Sequence, residues 1–194
     1  TIWTIGWSTL DGSAYSSDGT QTYKADAYAL GGTDPVFSTT DDDITFHDGG
    51  TTTNFVLGNA ADLTVNTNFT STASDGNIEF KDNITIVGIN GNASQDIVLN
   101  AGSTTGTVTV AAIGTGGASA KEIKDVTITA GGGITLRGDI TLSAFTPTGQ
   151  NAQEDKGDLV LNSAVELRGG DNNNRITIDT SNGSGGLVDV NSTV

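Results

Sequence analysis

The sequence predicts an all-β chain wound as a right-handed parallel β-helix, a β-solenoid. Three observations predict it: one short strand word recurs along the chain, small polar residues replace bulky apolar ones, and no segment keeps helical period over a useful length. The word is Asp or Asn, apolar, any residue, apolar. It reads DITF at 43–46, DLTV at 62–65, NIEF at 77–80, NITI at 83–86, DIVL at 96–99, DVTI at 125–128, DITL at 139–142 and DLVL at 158–161. Alternation over three or four residues is the period of a strand with one buried face. Ile84, Ile86, Val126, Ile128, Ile134 and Leu136 are therefore expected inside, with Thr85, Thr127 and Thr135 outside.

Composition fits that reading. Apolar residues make up 35% of 194, with 27 Gly and only 2 Pro, while Ser and Thr together supply roughly a quarter. A single short strand pair buries too little apolar surface to stand alone, whereas stacking each word on the one below builds a continuous column and satisfies the backbone. An Ig-like β-sandwich of adhesin type is the alternative, but it would use longer strands and turns richer in proline.

Taken in order, residues 1–19 are expected to form an N-terminal strand, a cap or an inter-subunit segment. TIWTIGW places Trp3, Ile5 and Trp7 on one face of a strand, and these three are the candidate assembly interface. Residues 20–194 are assigned to the solenoid repeats. Words follow one another at uneven intervals, which suits coils with loops of variable length. The Asp or Asn that opens each word is expected to bond backbone two residues on, as in a turn. Glycine runs at 116–117, 131–133 and 169–170 suit the same corners. SAKEIKD, at 119–125, is only two turns long and leads directly into a strand word, so no helix is expected there. A fainter correspondence links Gln21, Lys24, Asp26, Ile44 and Thr45 with Gln153, Lys156, Asp158, Ile176 and Thr177, all 132 positions apart, as though a second unit were beginning.

Net charge is −15 with eight Lys plus Arg, so no nucleic-acid partner and no insertion into a membrane are expected. Cysteine is absent, which removes disulfides, thiolate metal sites and cysteine nucleophiles together. The chain opens at Thr1 without a charged-then-apolar leader and is expected to be a mature or excised piece of a longer product.

Candidate chemistry is sparse. His47, the single histidine, has no cysteine or second histidine to complete a metal or nucleophile constellation and reads as a solvent-facing turn residue. Asp41, Asp42 and Asp43 form the one tight acidic cluster; adjacent strand residues point to opposite faces, so they do not make a catalytic pair. No catalytic residue and no dedicated cofactor site are assigned. Oxygen-rich loops at 39–43 and 169–174 could bind calcium weakly. Outward threonines reflect strand preference, since the uneven word spacing does not suit a regular ice-binding array.

The succession ADLTVNT, GNIEFKDNITI, QDIVLNAGSTTGTVTVAAIG, DVTITAGGGITLRGDITLS and GDLVLNSAVEL resembles the β-strand repeats of large bacterial surface and secreted proteins, the filamentous-haemagglutinin-like and autotransporter-passenger class. TQTYKADAYAL, at 20–30, resembles the segment that opens a unit in such repeats. Membership would imply export to the bacterial cell surface and a non-enzymatic structural or adhesive role in an adhesin, stalk or filament. It would also imply end-to-end association or continuation of a longer chain, with surface carbohydrate or a receptor as further partner. A polysaccharide lyase or hydrolase built on a β-helix is the alternative of another class.

Overall fold

The computed structural model describes residues 2–3, 6–50, 53–58, 61–68, 74–81, 83–89, 95–115, 123–142, 157–169, 175–180 and 186–191. Among these there is no helix, and the strands fall into seven coils of three. The first coil holds β1 (Ile2–Trp3), β2 (Trp7–Leu10) and β3 (Ala14–Ser17); the second β4 (Gln21–Ala25), β5 (Ala27–Leu30) and β6 (Val36–Thr39). The third holds β7 (Ile44–Asp48), β8 (Thr53–Leu57) and β9 (Leu63–Asn66); the fourth β10 (Ile78–Phe80), β11 (Ile84–Val87) and β12 (Ile97–Asn100). The fifth holds β13 (Thr107–Val110), β14 (Ala112–Ile113) and β15 (Val126–Thr129). The sixth holds β16 (Gly133–Leu136), β17 (Ile140–Thr141) and β18 (Leu159–Asn162), and the seventh β19 (Val165–Leu167), β20 (Ile178–Asp179) and β21 (Val188–Val190).

Each strand pairs in parallel with its counterpart one coil away. The first sheet runs β1-β4-β7-β10-β13-β16-β19, the second β2-β5-β8-β11-β14-β17-β20 and the third β3-β6-β9-β12-β15-β18-β21. This is a parallel β-helix, as the repeated word predicts.

Register carries the word from coil to coil. In the third sheet Val65, Leu99, Ile128 and Leu161 form one inward column and Leu63, Ile97, Val126 and Leu159 another. All eight are buried, as are Ile84, Ile86, Ile134 and Leu136. Thr85, Thr127 and Thr135 face outward and are half-buried, so the assignment of faces holds. The core changes character along the axis. In the first sheet Tyr23, Phe46 and Phe80 stack with ring centroids 5.1 and 4.7 Å apart, both at 15° between planes. Later coils are aliphatic. Gln21 sits inward at the head of the column continued by Ile44 and Ile78. Its amide donates to the Tyr15 and Ser38 carbonyls (3.1 and 2.7 Å), and its oxygen accepts the Tyr23 hydroxyl (2.7 Å), so this core amide is satisfied.

Two expectations need correction. Residues 1–19 are not a separate cap: β1, β2 and β3 pair in register with β4, β5 and β6 and make the first coil of the same solenoid. The 132-residue correspondence is not structural, because Ile44 opens a strand of the first sheet while Ile176 lies just ahead of a strand in the second. The repeat is one coil of variable length, and the variation lies in the corners. Connections from the second sheet to the third lengthen through 88–96, 114–125 and 142–158, whereas one residue, Ala111, separates β13 from β14. Of SAKEIKD, residues 119–122 lie outside the described residues, and Ile123 forms a parallel bridge to Leu142.

Candidate functional site

The Asp that opens each word does something the sequence did not show. Asp34, Asp62, Asp96, Asp125 and Asp158 stack at the entrance to the third sheet, and the carboxylates of Asp34, Asp62, Asp125 and Asp158 each take a backbone N–H from the next coil. Asp62 N–H donates to Asp34 Oδ1 (3.2 Å), Asp96 N–H to Asp62 Oδ1 (2.9 Å), Asp158 N–H to Asp125 Oδ1 (2.8 Å) and Leu187 N–H to Asp158 Oδ1 (2.8 Å). Asp96 interrupts the series: its buried Oδ1 has no hydrogen-bond partner among the described residues. The other aspartates are not turn residues bonding two positions on. They bridge 28 to 34 residues, one coil to the next. Stacking carboxylates has an electrostatic cost, visible at Asp96, where burial first and then the charges of Asp125 and Asp62 push the pKa up.

Two further ladders run beside this one. Asn100 Nδ2 donates to Asn66 Oδ1 (3.4 Å), Asn162 Nδ2 to Thr129 Oγ1 (3.3 Å) and Asn191 Nδ2 to Asn162 Oδ1 (3.2 Å). On the first sheet, Asn77 N–H and side-chain amide both donate to Asp43 Oδ1 (2.7 and 3.0 Å), and Thr107 N–H and hydroxyl both donate to Asn77 Oδ1 (2.9 and 2.7 Å).

The acidic triplet is drawn apart by the same construction. Asp43 faces Asn77 one coil on, while Asp42 Oδ1 accepts from Thr20 Oγ1 (3.4 Å) one coil back. Asp41 turns the corner at φ 59°. The three carboxylates do not converge on a reacting atom. His47 lies half-buried on the outer face of the first sheet, in register with Lys24. Among the described residues no three His, Cys, Asp or Glu side chains group as a metal site; 170–174 of the second oxygen-rich loop lie outside them.

A corner clamp joins three coils. Asp75, buried in the third-to-first corner, accepts N–H bonds from Thr104 (2.8 Å) and Thr105 (3.2 Å) and the Thr104 hydroxyl, and its own N–H donates to Thr105 Oγ1 (3.1 Å). Burial raises its pKa, but the bonds from Thr104, Thr105 and Gly106 outweigh it and hold the carboxyl below its usual range. Gly102, at φ 76°, lies so close that a Cβ there would overlap the Asp75 carboxylate. One coil further, Cβ atoms on Gly131 and Gly132 would strike the backbone of Ser103 to Thr105. The triple glycine is thus a close approach between coils as well as a corner.

Trp3 and Trp7 do not share a strand face. The chain turns at Gly6, whose N–H donates to Asp26 Oδ2 (3.0 Å), so Trp3 lies in the first sheet beside Lys24 and Trp7 in the second beside Ala27. Trp7 faces outward and is 71% exposed; Ile5 lies outside the described residues. At the far end the inward positions Leu167, Val188 and Val190 are also exposed, at 56%, 43% and 51%.

Sequence reasoning missed the charge pattern of the first sheet. Pairing continues past the strand ends through Lys81 N–H to Phe46 O, Arg137 N–H to Val110 O and Arg168 N–H to Leu136 O (2.9, 2.9 and 2.7 Å). Lys24, His47, Lys81, Arg137 and Arg168 therefore form one outward column, interrupted at the fifth coil by buried Ala111 and holding four of the eight Lys and Arg residues. The neighbouring column is Thr22, Thr45, Glu79, Thr109, Thr135 and Glu166. Uneven spacing resides in corners and leaves the threonines in register, contrary to the expectation; it is Glu79 and Glu166 that break the threonine array.

Comparison with known family models, curated proteins and solved structures found no match to this chain.

Proposed function

We propose that the chain is a non-enzymatic structural or adhesive β-solenoid, displayed outside the cell as a segment of an adhesin, stalk or surface filament of the filamentous-haemagglutinin-like or autotransporter-passenger class. The observation that carries this reading is the use of polar side chains. In the Asp, Asn and Asp43–Asn77–Thr107 ladders, the groups a catalytic site would need are spent joining coil to coil. The result is a rod some 30 Å long whose repeated bonds run along its axis. The apolar positions of the seventh coil, and outward Trp7 on the first, suit contact with a further coil, whether of a longer chain or of a second copy.

Incubation with a panel of acidic and neutral polysaccharides tests the reading. Chain lengths should stay unchanged. Depolymerisation that disappears in Asp42→Ala and Asp43→Ala variants would replace it with a polysaccharide-processing enzyme.

A further inference from the structure

We propose that the outer face of the first sheet binds a linear polysaccharide carrying a uronate on every second sugar, laid along the solenoid axis. The proposal starts from a local reversal of sign. In a chain of net charge −15, Lys24, Lys81, Arg137 and Arg168 are gathered into one column, on a face that also carries Asp43, Glu79 and Glu166, with Asp42 just ahead of β7 and Asp48 at its end. Asp43 is already engaged by Asn77.

Spacing selects the ligand. Parallel coils rise ~4.8 Å each. Lys24, Lys81 and Arg137 stand on the second, fourth and sixth coils, with His47 and Ala111 between, so three cations recur at about 9–10 Å. An extended polysaccharide that alternates neutral and uronic sugars offers carboxylates at a comparable interval. Beside the cation column, a groove of about 260 Å³ is lined by Asp43, Thr45, Asn77, Glu79, Thr107 and Thr109, which offer hydroxyl, amide and carboxylate partners to the sugars.

Lys81 Nζ lies 3.4 Å from Glu79 and Arg168 Nε 2.7 Å from Glu166. Both are solvent-exposed ion pairs of little net worth, so a ligand carboxylate can displace or share them at small cost. Arg137 offers a planar fork suited to a carboxylate. Because the molecule as a whole repels anions, any polyanion it holds must be held locally.

This gives the adhesive reading a ligand class but rests on a different observation; absent binding would remove the ligand and leave the stalk, whereas depolymerisation would remove the stalk. The test is calorimetric titration with short hyaluronan fragments at low salt, with neutral dextran and single-stranded DNA as comparators. Hyaluronan should bind, weaken as salt rises and bind about tenfold or more weakly to a Lys24→Ala, Lys81→Ala, Arg137→Ala variant. Arg137→Glu should also lose binding, while Thr141→Glu, which adds a negative charge on the second sheet, should leave it nearly unchanged. No binding to hyaluronan, equal loss in Thr141→Glu, or single-stranded DNA bound as well as hyaluronan would each overturn the proposal.

Discussion

The backbone N–H of Asp96 donates to the carboxylate of Asp62, 2.9 Å away and 34 residues earlier in the chain. The same relation joins Asp62 to Asp34, Asp158 to Asp125 and Leu187 to Asp158, making the first residue of the strand word a fastener between coils. Asp62→Ala should cost about 1–3 kcal/mol in urea unfolding, because the Asp96 N–H loses its acceptor. Asp62→Asn keeps a carbonyl oxygen and should cost less; equal losses would show that the bond itself contributes nothing.

The inward columns set a second expectation. Ile128→Ala removes a buried side chain stacked between Leu99 and Leu161 and should cost about 2–5 kcal/mol. Thr127→Ala, on the outer face, should cost less than about 1 kcal/mol. Denaturant unfolding of the two variants measures the difference.

Acidification should loosen the corner clamp. Asp75 has a depressed pKa in the folded chain, so its contribution is complete above the unfolded carboxylate range and is lost as pH falls through the folded value. Asp96 has the opposite sign: its raised pKa means that stability falls as pH rises from the unfolded value through the folded one. Melting temperature against pH should therefore fall less steeply on the acid side for Asp75→Asn than for the native chain, and Asp96→Asn should gain stability toward neutral pH. Gly102→Ala should be more damaging than Asp75→Asn, since it combines a positive φ with overlap at the carboxylate.

Trp7 supplies the test of association. Trp7→Ala should leave β-rich circular dichroism intact and shorten or abolish end-to-end rods in electron micrographs; Trp3→Ala tests the neighbouring sheet. Rods that persist in both variants would exclude an aromatic contact.

The inward faces were legible because period two is a local property: Ile84 and Ile86, or Val126 and Ile128, declare their side within four residues. Relations between coils were not. Lys24 and His47, or Asp62 and Asp96, meet only once the corner lengths between them are known, and those lengths vary. Trp3, Ile5 and Trp7 misled for the same reason, since period two holds only while the chain stays in one strand, and it turns at Gly6.

The ladder bonds lie along the axis, and that orientation has a mechanical consequence. Tension applied between the two ends would strip one rim coil at a time. The coil from Ile97 to Val126 rises ~4.8 Å when wound but reaches about 100 Å when drawn straight. Each stripped coil would lengthen the rod by roughly twenty times its own height, letting the remaining coils keep their shape as the whole extends.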